Sequence, residues 1–365
     1  MFRKTVSAHN LFARRFLSCG LFHIGKYLPV FFVAILLTLP GGYEGRKEYN
    51  MIIKDSPVSN THPIVLGIDQ GYGNMKTANT VFPTGIVHYP EMPPYKEDLL
   101  IFKDTYHSVG VGHKAYCPDK TQDEDFYLLT LAAIGKELDF RNIRDAKLIL
   151  AIGLPMTWAG TQRKSFVEYL KKDNPVTFTF NGISHTIEIA EIDVYPQGYA
   201  AIAPYISDFT GSHMLCDIGN GTMSAMYIED CHPDLRKSFT EPFGTQQCMI
   251  QARELLMRRH QKSIPDRLIT EVLRNGKADI REEYQETIRE AARNYVDSIM
   301  DHLREYGYDP EMMYLHVVGG GGCLIRNFTD YDPDRVTIND DICATAKGYE
   351  WLTQMRMDDS GSASA

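Results

Sequence analysis

An α/β fold made of two similar halves is what this sequence predicts, and three observations carry the prediction. Two short glycine-bearing turns each follow an apolar run that ends in an aspartate. The first is Ile64-Val65-Leu66-Gly67-Ile68-Asp69-Gln70-Gly71-Tyr72-Gly73-Asn74-Met75-Lys76, and the second is Met214-Leu215-Cys216-Asp217-Ile218-Gly219-Asn220-Gly221-Thr222-Met223-Ser224-Ala225-Met226-Tyr227. Short apolar runs with strand character alternate with segments of helical periodicity. A hairpin followed by helices occurs in the first half of the chain and again in the second.

Each turn reads as strand, tight turn, strand. Such a turn exposes consecutive backbone N–H groups that can hold a phosphate. An aspartate at the strand end can order a divalent cation through water. Either aspartate alone is an ordinary turn residue, and the glycines alone supply positive φ. The paired pattern, Asp-x-Gly-x-Gly-Asn-x-Lys beside Asp-x-Gly-Asn-Gly-Thr, is far more specific than either part. It places two half-domains on either side of one nucleotide cleft.

The remaining elements follow in order. Residues 52–62 form a polar lead-in, and strands lie near 64–69 and 75–82. Residues 89–125 hold prolines, tyrosines and Asp123-Glu124-Asp125 and read as irregular. A helix covers 126–138. Lys147 to Gly153 is a buried strand stopped by Gly-Leu-Pro. A helix near 161–172 precedes a hairpin around Asn181-Gly182, the strongest short hairpin signal. Strand 192–195 leads to a helix opened by Gln197 and running to about Ile206. Beyond the second turn, Thr245 caps a helix to His260. Tyr284, Ile288, Ala291, Tyr295, Ile299 and Leu303 recur at helical spacing over Glu282–Tyr306, ended by Gly307. Strand 315–318 runs into Gly319-Gly320-Gly321-Gly322, and a last helix holds Ala344–Met355. A strand–glycine–helix junction lets a flat ring or a phosphate approach the backbone.

Composition bounds the function. The 365 residues are 44% hydrophobic and 23% charged with a net charge of −9, enough for two globular domains and contrary to a broad nucleic-acid-binding face. Seven scattered cysteines show no CxxC pair, so neither a disulfide framework nor a zinc site is indicated, and a reduced cytosol fits. No HExxH, no GxGxxG in a βαβ unit and no GxxxxGK[ST] loop occurs.

Residues 1–50 differ from the rest. Arg3, Lys4, Arg14, Arg15 and Lys26 precede an apolar run from Leu28 to Leu39, shorter than the roughly 20 residues of a spanning helix. Glu44-Gly45-Arg46-Lys47-Glu48 can be encoded by purines alone, and Tyr49-Asn50 then precede Met51, as a translated ribosome-binding sequence and spacer would. Residues 1–50 therefore read as an upstream extension with the protein starting at Met51. A membrane anchor and a leader are the alternatives, and no membrane segment is expected after Met51.

The ordered set of first turn, Tyr195-Pro196-Gln197-Gly198-Tyr199-Ala200-Ala201, second turn, Gly319–Gly322 and Ala344-Thr345-Ala346-Lys347-Gly348-Tyr349 resembles the actin-like ATPases. Ile152-Gly153-Leu154-Pro155 and the Asn181-Gly182 hairpin are similar to the ParM/StbA-type proteins of plasmid segregation. The resemblance covers roughly 64–355. It implies an actin-like (ribonuclease H-like) two-domain fold with a nucleotide cleft between duplicated halves. Domain I would span 51–208, with an irregular subdomain at about 89–140. Domain II would span 209–340, with a helical subdomain at about 243–306. A helix over 341–357 would return to domain I, and 358–365 would be a disordered tail.

The resemblance also implies roles. Asp69 and Asp217 would hold Mg²⁺ through water. Gln70, Gly71, Tyr72, Gly73 and Asn74 would meet the phosphates, with Lys76 neutralising charge. Gly219, Asn220, Gly221 and Thr222 would hold them from the other side, and Gly319, Gly320, Gly321 and Gly322 would lie against the adenosine. Gln197 would orient the attacking water, giving slow hydrolysis because an amide is a poor base. Gln246, Gln247 and Arg253 are the candidates at the base and ribose. The cofactors implied are Mg²⁺ and ATP, with GTP left open. The implied activity is an ATPase that forms filaments in the cytoplasm, attached to plasmid or other DNA through a DNA-binding adaptor protein. The alternatives are a small-molecule kinase, with Asp193 as its candidate base, and a non-hydrolysing ATP-binding assembly protein.

Overall fold

Two β-sheets with the same core order carry the fold. They are seen in a computed structural model, which describes residues 63–362 apart from 113, 115, 116, 118 and 156–158. The extension read over residues 1–50 lies outside the described residues. In chain order the first half contains β1 (Ile64–Gln70), β2 (Asn74–Lys76), β3 (Val81–Pro83), β4 (Ile86–Tyr89), β5 (Leu99–Phe102), β6 (Thr105–Val109), α1 (Glu124–Phe140), β7 (Asp145–Leu154), α2 (Ala159–Leu170), β8 (Val176–Phe180) and β9 (Ile183–Pro196). The rest contains α3 (Tyr199–Ile202), β10 (Ser212–Ile218), β11 (Met223–Glu229), β12 (His232–Glu241), α4 (Thr245–His260), α5 (Asp266–Asn275), α6 (Glu282–Glu305), β13 (Tyr314–Val318), α7 (Gly322–Phe328), β14 (Val336–Ile338) and α8 (Ala344–Ser362).

The nine-stranded sheet runs β3-β2-β1-β7-β9-β8-β5-β6-β4, and the five-stranded sheet runs β12-β11-β10-β13-β14. The first five strands of the large sheet and all five of the small one share a pattern. Two antiparallel hairpin strands precede a central strand, β1 or β10, which pairs in parallel with β7 or β13. The third parallel strand is β9 or β14. This repeat is the structural form of the two similar halves. Leu66 to Gln70 of β1 are all buried, as a strand covered on both faces requires.

Local chemistry accounts for most elements. Asn181 and Gly182 both take positive φ, 48° and 82°, which closes the β8–β9 hairpin in two residues. On α6, Ile288, Ala291, Tyr295, Ile299 and Leu303 are buried in the core of the second half. Helix α8 packs very closely: a Cβ on Gly67 would fall 2.0 Å from the Ala346 oxygen, and one on Gly348 would fall 1.8 Å from the Ala200 oxygen. Glycine is required at both positions, and α8 is thereby seated against β1 and α3. Glu350 of α8 accepts from the Gly67 N–H at 2.9 Å and from Arg141 at 2.6 Å.

Several elements differ from the sequence expectation. The segment 89–125 holds β5 and β6, which pair with β8 and β4. Their turn, Lys103-Asp104, takes positive φ at two non-glycine residues, which no Asn-Gly signal announced. The helix expected from Gln197 starts at Tyr199, because Gly198 at φ 77° breaks the chain direction, and it passes into a 3₁₀ segment over Ala203–Asp208. Helix α8 runs to Ser362, past Met355, and Gln354 and Ser360 bond along it to Asp358 and Arg356. Strand β12 and helix α5 were not anticipated. No helix among the described residues is long and apolar enough to cross a membrane.

Candidate functional site

The two aspartates occupy equivalent places in the two halves. In the β1–β2 hairpin Asp69 pairs in register with Lys76 and Gln70 with Met75, leaving Gly71-Tyr72-Gly73 as the turn. In β10–β11 Asp217 pairs with Ser224 and Ile218 with Met223, and the Gly219 N–H donates to the Thr222 oxygen at 2.8 Å. Each aspartate is thus the penultimate residue of a central strand, aimed at the carboxyl end of its sheet, where clefts form in such folds.

The turns face each other across one cavity of about 800 Å³. It is lined by Asp69, Gln70, Gly71, Tyr72, Gly73, Asn74 and Lys76 from the first hairpin, and by Asp217, Gly219, Asn220, Gly221 and Thr222 from the second. Gln197, Gly319 and Gly320 complete its floor and wall. Gly321 and Gly322 are not among the lining residues. A Cβ on Gly321 would fall 2.2 Å from Ile218 Cγ2, and Gly322 opens α7 against Ile338. These two glycines serve the strand–helix packing behind the wall.

Charge is concentrated at the floor. Lys76 Nζ lies 2.7 Å from Asp69 Oδ2, and Gln197 Nε2 donates to Asp69 Oδ1 at 3.3 Å. Burial pushes the Asp217 carboxyl up to about 6, the nearby Asp69 adds to the rise, and Lys76 opposes it. Burial alone would lower the Lys76 ammonium, but Asp69 and Asp217 outweigh it and hold Lys76 above its ordinary value. Asp69 and Asp217 share the Lys76 ammonium, and the two carboxylates together suit a divalent cation that keeps several of its waters. The glycines make room for such a group: a Cβ on Gly319 would fall 2.4 Å from Asp217 Oδ1, and one on Gly198 3.0 Å from Asp217 Cβ. The donor set and the cradle therefore fit a hydrated cation beside a polyphosphate.

The far end of the cavity is foreshadowed in the sequence only by Gln246 and Arg253. Thr245, Met249, Arg253, Thr270, Arg274 and Asn339 line it, brought there by α4, α5 and the loop after β14. Gln246 also lines it, whereas Gln247 is used structurally: its Oε1 accepts from the Gly244 N–H at 3.0 Å and its Nε2 donates to the Gly221 oxygen at 3.2 Å. Asp193 is not among the residues that line the cavity. It accepts from Thr353 Oγ1 and Arg356 Nε, both at 2.9 Å.

Residues 67–199 match the family model for the N-terminal domain of actin-like proteins. The fold of the chain is actin-like. Its fold is shared with the archaeal actin homologue Ta0583, at 18% identity and TM-score 0.65 over 80% of this chain and 99% of that one. Ta0583 was also solved in complex with ADP, at 20% identity and TM-score 0.62. The Clostridium botulinum ParM of a 15-stranded filament matches at 16% identity and TM-score 0.62, covering 80% and 99%. Bacillus thuringiensis ParM with ATP matches at 13% identity and TM-score 0.61, covering 81% and 99%. No curated protein matches the sequence. The actin-like, ParM-type fold expected from the motifs is thus the fold observed.

Proposed function

We propose that this actin-like chain is a nucleotide-dependent polymerising ATPase whose filaments move or hold plasmid or other DNA. The observation that carries the reading is the pair of equivalent aspartate-bearing turns, Asp69–Lys76 and Asp217–Thr222, facing one cavity. Neighbours solved with ADP and ATP, and one solved as a filament, support it.

In this reading, Asp69 and Asp217 would hold Mg²⁺ through water, one from each half. Lys76 and the backbone N–H groups of the two turns take the phosphate charge, which is the main electrostatic contribution in phosphoryl transfer. Bound Mg²⁺ with ATP supplies charge neutralisation and the bond to be hydrolysed. Gln197, already bonded to Asp69, orients the attacking water. Its amide removes no proton, so turnover is slow and filament lifetime is set by it. Head-to-tail contact between copies does not close, so assembly is helical. The net charge of −9 favours attachment to DNA through a basic adaptor protein, in the cytoplasm.

The kinase alternative loses its candidate base, because Asp193 is engaged by Thr353 and Arg356 and does not line the cavity. Phosphate release measured with Mg²⁺-ATP alone tests the proposal. Wild type should release phosphate without added substrate, and Asp217→Ala should not. Release that depends on a small hydroxylated substrate would overturn it in favour of a kinase.

A further inference from the structure

Behind the first turn lies a buried cation that the mechanism above does not use. Lys120, 3% exposed, opens a single 3₁₀ turn, Lys120–Gln122, between β6 and α1. Its ammonium donates to the main-chain oxygen of Gln70. It sits 5.1 Å from the ring centre of Tyr72 and 5.2 Å from that of Phe126. Asp69, the carboxylate with which it interacts electrostatically, already carries Lys76 at 2.7 Å. Among the described residues no carboxylate forms an ion pair with Lys120 itself. A buried ammonium without a carboxylate partner is costly, and it lies directly behind a loop read as holding phosphate.

The geometry gives that charge a route to the cleft. The oxygen of Gln70 and the N–H of Gly71 belong to one peptide unit. A charged donor on the oxygen polarises that unit and strengthens the N–H as a donor on its other side. Two more bonds hold this region: Tyr72 Oη donates to the Cys117 oxygen, and Gln70 Nε2 donates to Thr130 Oγ1 of α1 at 2.6 Å. We infer that Lys120 is a positioning residue of the polyphosphate site, acting through the Gln70–Gly71 peptide as a second positive charge beside Lys76. This rests on the nucleotide reading above.

Burial draws the Lys120 ammonium down to about 8, with Asp69 opposing and Lys76 reinforcing the fall. A polyphosphate in front of the turn raises it again, so binding at mildly alkaline pH takes up a proton. The groups facing Lys120 are Asp69, Lys76, Cys117 and Tyr72. A Cys117→Ser variant keeps the thiol out of the measurement.

The test is calorimetric titration of Mg²⁺-ATP and of adenosine into the full chain at about pH 8.5, in two buffers of different ionisation enthalpy. Wild type and Cys117→Ser should take up a fraction of a proton per ATP. Lys120→Met should take up none and bind ATP about tenfold more weakly with unchanged adenosine affinity. Wild-type ATP affinity and proton uptake in Lys120→Met would overturn the inference. Equal loss of ATP and adenosine would also overturn it, by assigning Lys120 a purely structural role. A wild-type chain that binds neither ligand would overturn the site reading itself, and this inference with it.

Discussion

Gly319 stands directly on Asp217. Its backbone takes φ +84°, and a Cβ there would lie 2.4 Å from Asp217 Oδ1. The end of β13 and the end of β10 therefore meet at the carboxylate on which the proposed site depends. Any side chain at 319 must displace that carboxylate or the backbone, and the left-handed φ adds about 1–2 kcal/mol of strain. Gly319→Ala should lower Mg²⁺-ATP turnover at least about tenfold. Gly320→Ala meets no protein atom within 4 Å of its Cβ position, so it should act only through nucleotide contact and lower turnover less than Gly319→Ala. Steady-state phosphate release on the two variants checks the contrast.

Gln197 is held by a single long bond to Asp69 and should act after binding. Gln197→Ala should reduce the rate of hydrolysis by about a hundredfold while sparing nucleotide affinity. Single-turnover hydrolysis beside equilibrium binding separates the two. An unchanged rate would remove Gln197 from the chemistry.

Asp217 sets an acid limit. Its carboxyl titrates near 6 in the fold, above the ordinary value near 4. The protonated form is therefore favoured by folding. That contribution is fully present below about pH 4 and is lost as pH rises through about 6. Asp217→Asn should raise the melting temperature of the nucleotide-free protein at pH 7.5 and leave it nearly unchanged at pH 4. Mg²⁺-dependent turnover of wild type should fall as pH drops through about 6. Thermal scans at the two pH values and a pH–rate profile provide the check.

The Asp193 network ties α8 to β9. Thr353 Oγ1 donates to Asp193 and shares a hydrogen bond with Tyr195 Oη at 2.9 Å. Thr353→Val should leave the carboxylate short of a donor and destabilise the fold by about 1–3 kcal/mol. Nucleotide affinity should be unaltered. Denaturant unfolding beside ATP titration tests both statements.

Much of the site could be read from the chain because its parts are local. An apolar run, an aspartate and a glycine turn are contiguous, so Asp69–Lys76 and Asp217–Thr222 carry their geometry with them. The four glycines at 319–322 were less legible. Only packing against Ile218 and Ile338 divides the two that line the cavity from the two that do not. Arg253 and Gln246 were within reach of the sequence, whereas Thr270 and Arg274 come from the packing of α5, which leaves no local signature. Lys120 was hidden inside a segment read as irregular: its 3₁₀ turn is only three residues long, and β5 and β6 before it meet in a Lys103-Asp104 turn without glycine or asparagine. The repeat of strand order between the two sheets confirms what the duplicated motif implied.

Sedimentation of the full chain with Mg²⁺-ATP, against nucleotide-free protein and Asp217→Ala, tests the central claim most directly. Wild type with nucleotide should pellet as filaments, and both controls should stay in the supernatant. Wild-type protein that binds and hydrolyses ATP yet stays in the supernatant at every concentration, or pellets equally without nucleotide, would contradict it.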